Sequence, residues 1–333
     1  MMLIRQRFHM NALSFFMQIF KKRKKGIIME KLTFEQFCEK VKNAVRDFMG
    51  GEAEVTLQYV KKNNGVNLTG INIMEKDSHI SPTIYLNDAY EIYENKQELG
   101  SIVKKIMEVY EENKISKDFD ISFFSDYEAV KRKLTFRLIN KEMNRDFLKE
   151  VPYEEFYDLA IVCYCTVMRE DIGSGSILIK NEHLKLWKIK KEELIKDAVT
   201  NMPRLFPMEL KSMMEMVGEL FENSNQEQEF LEMAHVPMYV LTNTNRAHGA
   251  ASMVYENVLK EIAEMWDDDF YILPSSIHEV ILLPAKEVTE KDTLSQMVAD
   301  INSTQVEQEE ILANHAYLYS KLTGQIENIP LYI

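Results

Sequence analysis

The chain has 333 residues, enough for one large or two ordinary domains, and 46% of them are apolar, so a substantial core is available. Its net charge is −13, but residues 1–28 carry seven basic and no acidic side chains, which leaves −20 for residues 29–333. This acidic body would repel phosphates, so no nucleic-acid partner is expected. No apolar run approaches the roughly 18 residues that a membrane-spanning helix needs, so no transmembrane segment is expected either.

Residues 1–28 differ from the rest of the chain. A short apolar patch at 13–20 precedes the basic run Lys-Lys-Arg-Lys-Lys at 21–25, whereas a signal peptide has its basic residues first. The pattern predicts a disordered extension, or an upstream start with true translation from Met29. The alternative is an amphipathic segment that contacts a membrane surface.

Three cysteines, Cys38, Cys163 and Cys165, are too few and odd in number for a disulfide framework. We therefore expect a reducing, cytoplasmic location. Buried small side chains are favoured over redox or metal chemistry, because cysteine commonly behaves as a small hydrophobe.

The pattern of residues 29–115 predicts an N-terminal subdomain made of one helix, three strands and a second helix. Thr33 and Gln36 have the spacing of a capping box, and an apolar stripe follows over 34–48. Alternating apolar and polar residues over 53–59 indicate a half-buried strand. The sequence Asn63-Asn64-Gly65 predicts a hairpin, because Asn and Gly tolerate positive φ. Strands over 66–74 and 83–86 and a helix over 99–110 complete the subdomain.

A central α+β region is predicted over 116–221, followed by a linker-like stretch at 222–229. The apolar patterns predict strands at Leu134–Ile139, Phe156–Met168 and Ile177–Ile179, then helices at Asn181–Trp187, Glu192–Met202 and Met208–Leu220. The glycine-rich residues 171–176 predict a hairpin turn, since the Gly-Lys-Ser/Thr of a P-loop is absent.

The C-terminal region, 230–333, contains the most apolar strands. Phe270–Leu273 and Ile277–Leu283 predict two interior strands separated by a polar break. A strand over 236–241 and an amphipathic helix over 251–266 precede them, as in a strand–helix–strand crossover. A helix from 294, with a capping box at Thr293 and Gln296, and a last helix over 307–319 follow. The predicted class is α+β, with mixed or antiparallel sheets covered by helices and a C-terminal βαββα unit.

The loop 242–249 leaves a predicted strand and opens a helix, a location that favours anions. Its ligand-binding candidates are Asn243, Arg246 and His248. The alternative is that Asn, Thr and Gly merely cap the helix and shape the turn.

The polar break at 275–279 contains three catalytic candidates, Ser276, His278 and Glu279, since hydroxyl, imidazole and carboxylate groups take part in nucleophilic catalysis. The alternative is a simple hairpin turn, because Gly-x-Ser-x-Gly occurs nowhere in the chain. The seven histidines lack metal-ligand spacing, so neither a metal nor a cofactor is expected.

Several short segments together resemble an uncharacterised bacterial family, the domain of unknown function 5688, with members in clostridial, often gut, genomes. The segments are Tyr85–Asp88, Arg137–Asn140, Tyr239–Asn243, Gly249-Ala250 and Leu273–Ile281. The resemblance covers about 30–322 and omits the basic start. It implies no catalytic residues, because the family has no established activity.

The chain has regular helix and strand patterns but no strong catalytic motif. This combination favours a non-enzymatic binding or regulatory protein with a protein or small-molecule partner. Two alternatives stay open. One is a hydrolase or transferase that uses the polar loops 242–249 and 275–279, which requires those loops to converge in one cleft. The other is a structural subunit of a larger assembly.

Overall fold

The computed structural model describes residues 31–76, 81–95, 98–114, 122–169, 173–220, 237–274 and 276–330. The predicted extension at 1–28 and the linker at 222–229 lie outside these residues. The chain forms two compact units. Among these residues, one unit contains 31–58, 69–76 and the described part of 83–112, and the second contains 59–68, 81–82 and the described residues from 113 to 330. The regions predicted at 116–221 and 230–333 both contribute to the second unit.

The first unit follows the predicted order of helix, strands and helix, with one additional helix. Its elements are α1 (Phe34–Phe48), β1 (Ala53–Lys61), β2 (Asn67–Glu75), β3 (Thr83–Tyr85), α2 (Asn87–Glu94) and α3 (Leu99–Asn113). The capping box is confirmed, because the Thr33 hydroxyl accepts from the Gln36 amide at 3.3 Å and the Gln36 side chain accepts from the Thr33 amide at 3.1 Å. The buried stripe of α1 packs with β2 and α3 in one apolar cluster.

One sheet of the second unit has four antiparallel strands. They are β4 (Leu134–Asn140), β5 (Tyr153–Phe156), β6 (Leu159–Arg169) and β7 (Gly173–Leu178), and β6 pairs with the other three. The strand predicted over Phe156–Met168 was placed too early. Tyr157 adopts a left-handed φ of 57°, so a tight turn at 157–158 separates β5 from β6.

The other sheet of this unit has six strands in the order β13-β12-β10-β11-β9-β8. The strands are β8 (Met208–Ser212), β9 (Tyr239–Asn243), β10 (Phe270–Leu273), β11 (Val280–Pro284), β12 (Tyr317–Tyr319) and β13 (Ile326–Asn328). The prediction that β10 and β11 are interior strands is confirmed, because each has a strand on both sides and nearly all their residues are buried. β9 and β10 are both antiparallel to β11, so they run parallel with β11 between them.

Helices cover these sheets and complete an α+β fold. They are α4 (Tyr127–Lys131), α5 (Arg145–Leu148), α6 (Asn181–Trp187), α7 (Lys191–Leu205), α8 (Met213–Leu220), α9 (Val258–Trp266) and α10 (Leu294–Gln305). The largest apolar cluster joins β4 and β6 of one sheet to β9, β10 and β11 of the other, through α7 and α9. All three cysteines are free and buried, and burial raises the pKa of Cys38 and of Cys165 to about 11.

Three helix predictions and one capping prediction were wrong, wholly or in part. Met208–Ser212 is an edge strand, because all of its residues pair with β9 instead of forming hydrogen bonds within a helix. The helix predicted over 251–266 begins only at Val258, because Asn257 has a left-handed φ of 63°. Before it, Gly249–Val254 form a 3₁₀ turn.

The other two errors lie near the C-terminus. The Thr293 hydroxyl donates to the Glu290 carbonyl at 2.8 Å instead of capping α10, because a 3₁₀ turn at 291–293 brings that carbonyl close. The helix predicted over 307–319 is a 3₁₀ turn at Gln308–Glu310 followed by extended chain and β12.

Candidate functional site

The two polar loops predicted as sites lie at the same end of the six-stranded sheet. β9 and β11 are antiparallel, so the loop after β9 and the turn before β11 meet. The His248 and His278 rings stack with centroids 5.3 Å apart, and the Thr242 hydroxyl donates to the His278 carbonyl at 2.8 Å. The structure therefore brings Asn243, His248 and the turn residues into one cluster.

Asn243 is fully buried, and its side chain bonds within its own loop. Its Oδ1 accepts from the Asn245 amide at 3.0 Å, and its Nδ2 donates to the Ala247 carbonyl at 3.1 Å. This is an Asx turn, which shapes the loop. Arg246 leaves the loop, since its Nε lies 3.4 Å from Oε2 of Glu209 at the neighbouring strand β8 and its side chain is about half exposed.

His248 adopts a left-handed φ of 54°, a conformation that few residues other than glycine adopt. Its backbone N–H donates to Nδ1 of His278 at 3.1 Å. Its own Nδ1 is buried without a hydrogen-bond partner. Burial, followed by the nearby charge of Arg137 and then His278, lowers the pKa of His248 well below its usual value. The ring is therefore neutral near pH 7.

The Ser276 hydroxyl is engaged on both sides. It donates to Oε1 of Glu279 at 2.8 Å and accepts from the His278 amide at 2.9 Å. Because Nδ1 of His278 already accepts a hydrogen bond, a neutral His278 ring carries its proton on Nε2, which lies 3.5 Å from Oε1 of Glu310. The serine proton is thus directed to a carboxylate rather than to an imidazole. Ser275 lies outside the described residues.

Gly249 shows how closely these loops pack. A Cβ at this position would lie 2.1 Å from the Thr242 hydroxyl, 2.5 Å from the His278 carbonyl oxygen and 2.7 Å from the Asn243 amide nitrogen. Only a residue without a side chain fits between the two loops. The loops 242–249 and 276–279 therefore pack tightly at this end of the sheet, which we call the turn end, and most of their polar groups hydrogen-bond to each other.

An open groove of about 880 Å³ lies elsewhere in the second unit, in the size range of ligand sites. Its described lining contains amide, hydroxyl, imidazole and apolar side chains but no carboxylate, ammonium or guanidinium group. The residues are Met143, Ala299, Asn302, Ser303, Val306, Gln308, Ile311, Asn314, His315, Asn328, Ile329 and Pro330. Sequence reasoning missed this groove because the residues come from separate segments with no shared motif.

Asn302 is the most unusual residue of this lining. It is only 2% exposed, and its Nδ2 donates to the Ala313 carbonyl at 2.8 Å and to Oδ1 of Asn314 at 2.9 Å. Because the amide nitrogen must face these two acceptors, the orientation of the Asn302 side-chain amide is determined. Its Oδ1 is buried and accepts no hydrogen bond. Leaving such a group unsatisfied costs about 1–3 kcal/mol.

The helix that holds Asn302 ends in the groove. α10 stops at Gln305, and Ser303 and Val306 also line the groove. The last four carbonyl groups of a helix have no partner within it. In α10 these are the carbonyls of 303–306, and no described residue outside the helix donates a hydrogen bond to them.

His315 lies at another side of the groove, beside a carboxylate. Its Nε2 is buried 3.4 Å from Oδ2 of Asp158 but forms no hydrogen bond there. Oδ1 of the same carboxylate accepts from the Tyr317 hydroxyl at 3.0 Å. Burial raises the pKa of Tyr317 far above its usual value, and the Asp158 charge raises it further. The phenol is therefore a permanent donor that holds Asp158 in place.

A network of asparagines holds the wall of the groove formed by 308–311. Nδ2 of Asn64 donates to the carbonyls of Gln308 and Ile311 at 2.8 and 2.7 Å. The Asn64 amide donates to Oδ1 of Asn144 at 2.8 Å, and Nδ2 of Asn144 donates to Oδ1 of Asn64 and of Asn63, each at 2.9 Å. Asn64 also occupies the left-handed region at φ 57°, as the predicted hairpin tip requires. The bonds tie this tip, which belongs to the second unit, to the groove wall.

Two absences hold for the described parts of the chain. Across these parts, no three His, Cys, Asp or Glu side chains are placed to hold a metal ion together. Among the described helices, none has the length and apolar character that a membrane span requires.

Comparison with known proteins gives a family and nothing finer. The model of a family of unknown function, DUF5688, matches residues 34–321. No curated protein and no solved structure matches the chain. Since the matched residues make up most of its length, the chain belongs to the family of unknown function DUF5688.

Proposed function

We propose that this protein is a non-enzymatic binding protein, and that the groove beside α10 is where it takes up a small molecule or a peptide side chain. One observation carries this proposal. Oδ1 of Asn302 is a buried acceptor without a partner in a side chain that lines the groove. A bound donor would satisfy it and recover the cost of its burial.

The rest of the groove supports binding rather than catalysis. Its described lining offers several hydrogen-bonding side chains beside apolar ones, the usual composition of a ligand site. It lacks a serine–histidine hydrogen bond among the described residues, since Ser303 donates to the Asp300 carbonyl at 2.9 Å. The asparagine network fixes one wall in advance, which lowers the entropic cost of binding.

Catalysis at the polar loops, by a hydrolase or transferase, remains the second candidate. The convergence of 242–249 and 276–279 that it requires favours it. The hydrogen bond from Ser276 to Glu279 argues against a serine nucleophile in the arrangement described. A cytoplasmic location is inferred from the three free, buried cysteines.

A pair of matched variants tests the groove. Ser303 and Thr304 are adjacent and exposed on α10, and each hydroxyl donates to the Asp300 carbonyl at 2.9 Å. Only Ser303 lines the groove. Ser303→Tyr would fill the groove, whereas Thr304→Tyr loses the same kind of bond and leaves it open.

The measurement is a screen of neutral, cationic and anionic fragments against the full chain, followed by methyl NMR of Met143, Ile311 and Ile329. We expect hits that shift these methyl signals, with at least about tenfold weaker binding to Ser303→Tyr and less than about twofold change for Thr304→Tyr, that is about 1.4 kcal/mol against 0.4. Absence of any groove-directed hit, or equal binding to both variants, would refute the proposal.

A further inference from the structure

The ligand class can be inferred from the electrostatics of the groove, provided that the proposed binding function holds. We propose that the groove binds an organic cation: an ammonium or guanidinium group that donates to Oδ1 of Asn302 and to the terminal carbonyls of α10. Its apolar stem lies against side chains such as Val306, Ile311 and Ile329. Three features of the groove support this assignment.

The first feature is the direction of α10. Its C-terminal end is in the groove, where the aligned peptide dipoles place a partial negative charge. The carbonyls of 303–306 lie at that end and receive no hydrogen bond from described residues outside α10, and Ser303 and Val306 line the groove. Such an end stabilises cations and repels anions.

The second feature is the side chain of Asn302. Because Nδ2 already donates to the Ala313 carbonyl and to Asn314, the amide has only acceptor capacity left, at Oδ1. A carboxylate has no proton to offer this oxygen. An alcohol offers one, an ammonium three and a guanidinium five, so a cation also supplies donors for the helix carbonyls.

The third feature is the charge around the groove. Exposed acidic residues adjoin lining residues along the chain at Asp300, Glu307 and Glu327. On the side of Met143, the basic residues Lys141 and Arg145 are each paired with a glutamate, Glu155 and Glu142 respectively. The local field therefore favours entry of a cation.

The test compares probes of one size and different charge on the full chain. The probes are n-butylammonium, n-butylguanidinium, n-butanol and butyrate, titrated while the methyl signals of Met143, Ile311 and Ile329 are followed. We expect both cations to bind at least about tenfold more tightly than butanol, a difference of 1.4 kcal/mol, and butyrate to bind least. A second arm compares n-butylammonium with N-acetyl-lysine N-methylamide, which separates a free amine from a peptide side chain.

Two lysine variants provide the control. Asn328 lines the groove, whereas Gln325 lies just before β13 and does not line it; both are exposed. Asn328→Lys should weaken cation binding at least about fivefold by like-charge repulsion, and Gln325→Lys should weaken it by less than about twofold.

Equal or tighter binding of butanol or butyrate, or an unchanged cation affinity in Asn328→Lys, would overturn the cation assignment. Groove-directed binding by those neutral or anionic probes would still leave the proposed function standing. The proposed function fails if no probe or fragment shifts the groove methyl signals, or if Ser303→Tyr and Thr304→Tyr bind the hits equally well.

Discussion

The second unit contains two polar regions that differ in how their hydrogen bonds are satisfied. At the turn end, where the loops beside β9 and β11 meet, side-chain and backbone groups hydrogen-bond to each other. The loops are so close that a Cβ at Gly249 would not fit between them. In the groove beside α10, a buried oxygen of Asn302 accepts no hydrogen bond, and the terminal carbonyls of α10 accept none from described residues outside the helix. The first region contains the residue types of an active site, and the second contains unused binding capacity.

Residue type is therefore a weaker guide to a site than the state of its hydrogen bonds. Serine, histidine and glutamate at 276–279 are accounted for by turn formation, because their hydrogen bonds hold the turn. His248 is the exception in that region, since its buried Nδ1 lacks a partner. Variants in each region test whether the two regions differ in this way.

The largest effect is expected for Gly249→Ala. Its Cβ would collide with backbone atoms of both loops, so the loops must separate. We expect a loss of roughly 3–5 kcal/mol in the free energy of unfolding, measured with urea. Gly175→Ala is the control, because its Cβ would meet only a carbonyl oxygen 4.0 Å away, and it should change stability by less than about 0.5 kcal/mol. A mild effect of Gly249→Ala would show that the turn end is not tightly closed.

A smaller loss is expected for Asn144→Ala in the groove wall. The substitution removes a 2% exposed side chain and leaves its partners at Asn63 and Asn64 unpaired. We expect a loss of about 2–4 kcal/mol. Asn181→Ala removes one exposed bond to the Lys149 carbonyl and should cost less than about 1 kcal/mol. Equal losses in the two variants would mean that the network does not hold the wall.

The smallest effect is a pH dependence from His248. Its folded pKa lies below the unfolded value of about 6.5, so protons bind preferentially to the unfolded chain. The stability linked to this group is complete above about pH 6.5 and is lost as pH falls below that value, by at most about 1.4 kcal/mol per pH unit.

His248→Asn isolates this contribution, because Asn accepts the left-handed φ and keeps the backbone N–H that His278 requires. Urea unfolding at pH 7.5, 6 and 5 should show a steeper loss for the wild-type chain than for the variant. Parallel pH profiles would contradict the buried, neutral state of His248.

Much of the fold could be predicted from the sequence, because periodicity and turn residues encode local structure. The interior pair β10 and β11 and the tip at Asn63–Gly65 were predicted from such patterns and are confirmed. The errors arose where pairing with a distant strand outweighs the local sequence pattern. Met208–Ser212 begin a stretch with a helical pattern, but they pair with β9 as a strand.

The candidate site was less predictable. The convergence of Asn243, His248 and His278 followed from strand order, but the bonding of Ser276 did not, because it depends on which neighbour the hydroxyl meets. Asn302 was not predicted at all. In the sequence it is one polar residue of a helix, and only the fold buries its Oδ1 without a donor.

A crystal structure of the chain soaked with n-butylammonium tests the central claim most directly. The ligand nitrogen, or an ordered water that bridges to it, should lie within about 2.7–3.2 Å of Oδ1 of Asn302, in a groove that is otherwise unchanged. A protein donor on that oxygen, or an Oδ1 that stays dry in the presence of the amine, would contradict it.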